Sequence, residues 1–191
     1  MTAKPAPTLT TARLALRGWR DGDRAAFAAL NADPRVMQFL GPPLSRNASD
    51  ALADRIAVHF ADHGYGLWAA ELPGRADFIG FVGLSVIRFT PPWRPSSEPG
   101  AQRGPVEIGW RLAADHWGNG YATEAARAAM RFGFDRLALP EIVSFTTRAN
   151  HASRAVMERL GMSHDPRDDF DHPSLAPGDA LRPHVLYRAQ S

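Results

Sequence analysis

The stretch 107–124, EIGWRLAADHWGNGYATE, constrains the fold of this chain more than any other. It reads as a short buried strand over 107–112, a tight turn carrying Gly118 and Gly120, and the first turn of a helix. Glycine has no Cβ, so the backbone at these positions can bend sharply and come close to a ligand. The helix start that follows offers unpaired N–H groups and the positive end of its dipole, which suits phosphate. Strand, glycine turn and helix N-terminus in that order make an anion cradle. A P-loop needs Lys-Ser/Thr after its glycines, and none follows here. A dinucleotide-binding turn needs G-x-G-x-x-G, and Thr123 stands where the third glycine belongs. Glu141 lies at about the distance of that motif's acid, but it precedes the next predicted strand instead of ending it.

Composition removes several kinds of chemistry. The 191 residues, 45% of them hydrophobic, fit one domain with a substantial core. With no cysteine, disulfides, thiolate nucleophiles and thiolate metal sites are excluded. Lys4 is the only lysine, which argues against a Schiff base and leaves arginine as the partner for phosphate. The net charge of +2 comes without a basic run, against a nucleic-acid partner. The apolar runs are too short to span a membrane, and MTAKPAPTL lacks the apolar core of a signal peptide; a cytoplasmic protein is expected.

Residues 1–9 read as a flexible arm and 10–191 as one domain. Residues 10–19 alternate as a half-exposed strand, with Leu14 and Leu16 on one side and Arg13 and Arg17 on the other. Asp21-Gly22-Asp23 opens a helix that stops before Asp33-Pro34. Ser49 or Asp50 can cap a second helix running through Phe60. His59 and His63, at i and i+4 near its end, fit a metal pair or partners of the helix dipole, and no H-E-x-x-H acid accompanies them; no metal is expected. Strands at 66–71 and 78–87 flank a turn at Pro73-Gly74-Arg75, and Gly80 and Gly83 thin the second strand enough for close backbone approach. A Pro- and Ser-rich loop over 88–105 carries Trp93, which either serves a ligand or packs beneath the loop. A helix over 121–136, a strand over 142–147, a helix capped by Asn150 and a last strand over 184–188 complete an α/β single domain.

Two phrases share one family resemblance. Trp117-Gly118-Asn119-Gly120-Tyr121-Ala122 resembles the Q/R-x-x-G-x-G/A turn of the GNAT superfamily of N-acetyltransferases, with Trp117 in place of Gln or Arg. Residues 150–162, NHASRAVMERLGM, resemble that superfamily's N-x-x-S-x-x-x-x-x-x-L-G-F/M motif. The opening T-x-R-L-x-L-R-x-W is similar to the branch that holds the ribosomal-protein-alanine N-acetyltransferases. The resemblance runs over about 10–188 and implies a GNAT-like mixed, partly splayed β-sheet flanked by helices. It also implies acetyl-CoA as co-substrate, inserted between the strands at 107–112 and 142–147.

The cofactor residues so implied are Trp110, Arg111 and Leu112 along the strand, Trp117, Gly118, Asn119, Gly120, Tyr121, Ala122 and Thr123 at the cradle, and Asn150 and Ser153 on the second motif. Read alone, Asn150 is equally an N-cap and Ser153 a first-turn residue. The implied reaction is direct attack of an amine on the thioester, which needs a base because alkyl amines are protonated near pH 7. Glu107 is the candidate base, with a carboxylate paired to Arg111 or Arg148 as the structural alternative. A backbone N–H near Leu112 can serve the oxyanion. Many family members place a tyrosine proton donor where this chain has Met157, so Ser153 or water must protonate the leaving thiolate.

Trp93, Asp169 and His184 are the candidate acceptor-binding residues. The acceptor is expected to be a small primary amine or amino acid derivative, with protein N-termini second. The partners are acetyl-CoA and that amine, with a monomer or homodimer as the oligomeric expectation. A non-catalytic acyl-CoA-binding module would keep both motifs without a working base. A Ser-His-Asp hydrolase needs G-x-S-x-G, and Gly83-Leu84-Ser85-Val86-Ile87 fails at the last glycine.

Overall fold

The computed structural model describes residues 6–93 and 104–191. A nine-stranded mixed sheet runs in the order β1-β2-β3-β4-β5-β6-β9-β7, with β8 also paired to β9. The strands are β1 Leu9–Thr10, β2 Ala15–Arg17, β3 Leu67–Leu72, β4 Ala76–Val86, β5 Val106–Leu112, β6 Glu141–Thr147, β7 Ser163–His164, β8 Phe170–Asp171 and β9 Pro183–Gln190. Helices α1 Asp23–Ala32, α2 Pro34–Met37, α3 Arg46–His63, α4 Tyr121–Leu137 and α5 His151–Arg159 cover it. Among the described residues no helix is long and apolar enough to cross a membrane.

Side chains alternate along each strand, so the register sorts them onto two faces. One face carries Leu84 of β4 and Ile142 of β6, both against Gly133 of α4. On the same face Trp68 meets Phe132 of α4, and Tyr187 of β9 donates its hydroxyl proton to Glu158 of α5. The opposite face carries Phe81, which stacks edge-on with Phe27 of α1 at 5.9 Å. Directly opposite Phe81 in register is Arg111, Gly109 lies opposite Gly83, and Glu107 lies opposite Ser85. Row by row, Glu107, Gly109 and Arg111 therefore face α1–α3, while Ile108, Trp110 and Leu112 face α4.

The amino-terminal segment differs from the expected arm and single strand. Thr11 accepts the Leu14 N–H and so breaks the strand into β1 and β2, which pair with each other. Residues 6–9 are docked, not loose: Leu9 is in β1, and the Pro7 carbonyl accepts the indole N–H of buried Trp68 at 2.7 Å. Residues 1–5 of that expectation lie outside the described residues. α3 begins one turn before the expected Ser49, because Ser45 caps it by accepting the Ala48 N–H. At its other end both ring nitrogens of His59 are occupied: Nε2 accepts from the Val86 N–H at 3.1 Å and Nδ1 faces the Tyr65 carbonyl at 2.9 Å. This makes His59 a neutral strut between helix and sheet.

The close approach expected at β4 is made by neighbouring backbone. A Cβ on Gly83 would lie 2.1 Å from the Gly66 carbonyl oxygen, which itself accepts the Leu84 N–H. Gly83→Ala should therefore cost about 1–3 kcal/mol of stability, the usual range for overpacking. Urea unfolding of the variant is the check, and an unchanged midpoint would contradict this packing.

Candidate active site

The cradle forms as its glycines require. After a 3₁₀ turn at Ala114–His116, Gly118 and Gly120 adopt φ of 77° and 79°, and α4 begins at Tyr121 with no side-chain cap. Among the described residues, the backbone N–H groups of Gly118 through Thr123 donate to no protein acceptor. Successive free N–H groups of this kind form a concave nest for an anion, and the α4 dipole adds to it. Trp117 does not contribute a donor. Its backbone N–H goes to Ala114 and its indole N–H to the Leu112 carbonyl at 2.8 Å, so the substituted residue buttresses the turn instead.

A second buttress comes from the amino-terminal segment. Arg13 donates to the Asn119 carbonyl at 2.9 Å, pairs with Glu124 at 2.6 Å, and lies over the Tyr121 ring at 4.7 Å. Thr11 also donates to Glu124. Arg13 sits 106 residues before Asn119, so no local pattern in the sequence marks it as part of the cradle.

Beside the cradle the sheet opens. The parallel pair β5–β6 has a single register point, Glu107↔Val143, whereas β4 pairs with every residue of β5 and β9 with every residue of β6. Just past that point the buried Ser144 hydroxyl donates to the Ile108 carbonyl at 2.9 Å, satisfying an acceptor left by the parting strands. From Gly109 onward the β6-facing edge of β5 has no strand partner, and such an edge can take an extended ligand as an added strand.

Glu107 stands at the apex of this opening. Among the described residues neither expected arginine pairs with it: Arg111 donates to Asn31 at 2.6 Å and Arg148 pairs with Asp169 at 3.2 Å. Burial without a counter-ion disfavours the charged form and pushes the Glu107 carboxyl up to about 8. A base with an affinity near the working pH is well matched to proton transfer.

On the same face, an aromatic wall stands beyond β6. Trp93 lies 4.4 Å from Phe170 and 5.9 Å from Phe145, and Phe89, His172 and His184 complete the cluster. Burial holds both histidines below their usual range, so this wall is uncharged at neutral pH. The expected pair Trp93 and His184 is thus brought together, and the buried Trp93 indole N–H has no partner among the described residues. Residues 94–103 of the same expected loop lie outside the described residues.

Asp169 and Arg111 depart from expectation, and Asn150 and Ser153 take the positions of a helix cap and first turn. Asp169 is not an open acidic group of this face; it accepts from His164 at 2.8 Å and pairs with Arg148. The Arg111 side chain faces α1, away from the α4 side where the cradle lies, and its backbone carbonyl faces β4, so it is Trp110 and Leu112 that turn their backbone groups to the opening. Asn150 is an N-cap, accepting the Ser153 N–H at 3.1 Å while its amide donates to Thr146 at 3.0 Å. Ser153 is half-buried in the first turn of α5, and Met157 is core. A separate cleft of about 340 Å³, lined by Arg17, Arg20, Asp23 and Phe78, lies away from the opening. Its principal charges, Arg17 and Asp23, already satisfy each other at 2.8 Å.

Comparison with known proteins places the fold and the family. Residues 13–163 match the family model described as an acetyltransferase (GNAT) domain. The chain is 34% identical over 173 residues to an FsC-acetyl coenzyme A-N(2)-transacetylase of Aspergillus fumigatus, covering 86% of this chain and 68% of that protein. A crystal structure of an acetyltransferase from Agrobacterium tumefaciens superposes with a TM-score of 0.76 at 30% identity, over 97% of this chain and 95% of that one. A RimL ribosomal alpha-N-protein acetyltransferase in complex with coenzyme A shares the fold, with a TM-score of 0.73 at 17% identity, over 96% and 98%.

The buried carboxyl makes a signed prediction. Its folded-state affinity lies above the unfolded value of 4.5, so as pH rises between these values unfolding releases a proton and the native state loses stability. Glu107→Gln should therefore become progressively more stable than the parent from about pH 5 to pH 8 and hold that advantage above it. Thermal melts across pH test this. A variant that loses stability relative to the parent over that window would mean an ion-paired Glu107.

Proposed function

The chain belongs to the GNAT acetyltransferase family and is an acetyl-CoA-dependent N-acetyltransferase, and from that premise we propose that its acceptor is a small primary amine or amino acid derivative. The observation that carries this reading is the position of Glu107. It stands where β5 and β6 part, on the face opposite α4, with a carboxyl poised near neutral pH.

In this reading the phosphates of acetyl-CoA rest on the N–H groups of Gly118, Asn119, Gly120, Tyr121, Ala122 and Thr123. The pantetheine arm lies along the open edge of β5 at Trp110 and Leu112, with Asn150 and Ser153 flanking it from α5. The acceptor comes from the α1–α3 face. Ionised Glu107 takes a proton from the amine, directly or through water, and the neutral nitrogen attacks the thioester carbonyl carbon. As the C–N bond forms and the C–S bond breaks, a β5 backbone N–H bears on the oxyanion. The departing thiolate is protonated by the Ser153 hydroxyl or by water, since Met157 has no proton to give.

One observation supports an amine acceptor and another its small size. The Aspergillus fumigatus relative is named an N(2)-transacetylase, which fits an amine nucleophile. Trp93 packs onto Phe145 and Phe170 beside Glu107, walling one side of the site with uncharged rings. Enclosure of this kind suits a small molecule better than an extended chain.

Two measurements test the assignment. Glu107→Gln should lower turnover roughly 10²–10⁴-fold, the usual worth of a general base, while acetyl-CoA binding persists. The defect should hold up to about pH 8, where Glu107 itself ionises, and narrow above it as free amine accumulates; parental turnover at pH 7 would place the base elsewhere. Thr123→Asp adds a carboxylate to the first turn of α4, which favours the helix by itself but opposes phosphate. It should keep the fold and abolish the rise in Tm that acetyl-CoA gives by mass action, and a retained rise would remove the cradle assignment.

A further inference from the structure

Arg111 is the other ionisable group in the β5 row that carries Glu107. The two side chains share one face and are separated by Gly109, which offers no side chain between them. Glu107 leans into that gap, its Oε1 lying 3.9 Å from where a Gly109 Cβ would be. Four residues of strand place the two Cα atoms about 13 Å apart. Within β5, no side chain stands between the two on that face.

The guanidinium is held in place but not neutralised. It stacks against Phe81 at 5.4 Å and donates through Nη1 to the buried Asn31, which is in turn fixed by donating to Ser49 at 2.9 Å. Among the described residues no carboxylate pairs with it, and its buried Nε has no acceptor. Arg17, the buried arginine of β2, differs: it is held by both Asp23 and Glu71. The last turn of α1, where Asn31 sits, gives Arg111 a partial negative end but no counter-ion. A buried charge left uncompensated is costly, and a forked donor with a free edge matches a planar carboxylate.

We infer that Arg111 binds the carboxylate of the acceptor, so that the enzyme acetylates amines that also carry a carboxylate, amino acids or their derivatives, with the amine at Glu107 and the carboxylate at Arg111. The inference rests on the small-amine reading above and narrows it. Arg111 thereby sets specificity and orients the amine; it takes no part in the proton transfers.

The test compares free amino acids with their carboxamides as acceptors, following coenzyme A thiol release with saturating acetyl-CoA. The parent enzyme should prefer the acids in kcat/KM. In Arg111→Gln the acid-to-amide ratio should fall at least about 30-fold, through KM for the acid, the scale expected when one partner of a buried charge pair is removed. The rise in Tm with acetyl-CoA should be unchanged, since the cradle lies on the other face. Arg111→Lys retains a charge but loses the fork, and covers the case in which Gln does not fold; its ratio should fall as well. Equal use of acids and amides by the parent would overturn the carboxylate assignment and leave the small-amine reading standing. Acids and amides losing activity equally in folded Arg111→Gln would make Arg111 structural. Turnover confined to peptide N-termini would overturn both readings.

Discussion

The structure depends on a parallel strand pair that is allowed to begin and then stopped. β5 and β6 meet at Glu107↔Val143 and separate immediately beyond it. Parting two central strands leaves backbone groups without partners in the middle of a domain, which is ordinarily expensive. Here the cost is met locally. The Ser144 hydroxyl satisfies the Ile108 carbonyl, the Trp117 indole satisfies Leu112, and the remaining edge of β5 is available to a ligand. Full pairing with β4 and β9 holds the two strands from their outer sides, so the opening is rigid.

The alternation of side chains then gives the two sides of the opening different chemistry. Toward α4 lie the glycine turn and its free N–H groups, set to receive negative charge. Toward α1–α3 lie a carboxyl that desolvation keeps protonated until about pH 8, a half-buried guanidinium pushed down to about 10 but still charged, and a neutral aromatic wall. A thioester that enters through the gap meets its nucleophile from the opposite face. Both titratable groups owe their shifts to desolvation, so water exclusion and proton affinity at this site share one cause.

Much of this was legible in the sequence, and the reasons are local ones. The strand–turn–helix run at 107–124 announces itself because φ near +78° is affordable only at residues such as Gly118 and Gly120. The Asn150 cap and the hairpin at Gly74 carry equally short-range signals. What escaped is non-local. Arg13 reaches the cradle across more than a hundred residues, Phe145 meets Trp93 only through sheet order, and Asn31 meets Arg111 only because α1 crosses β5. Asp169 was misplaced for the same reason: its polar neighbourhood reads as an open acidic run, while folding pairs it with Arg148 and His164. The strand break at Thr11 was masked by the even alternation of Leu14, Leu16 and their arginine neighbours, which fits a continuous strand as well as two paired pieces.

The central claim is that acetyl-CoA fills the opening between β5 and β6 and ends on the α4 turn. Amide hydrogen exchange, measured with and without acetyl-CoA, reads this residue by residue. Slowed exchange confined to Trp110 and Leu112 and to Gly118 through Thr123, with Gly109 and Arg111 already protected by β4 in its absence, is the predicted result. Protection appearing instead around Arg17 and Asp23, or binding with no change at Trp110 and Leu112, would contradict it.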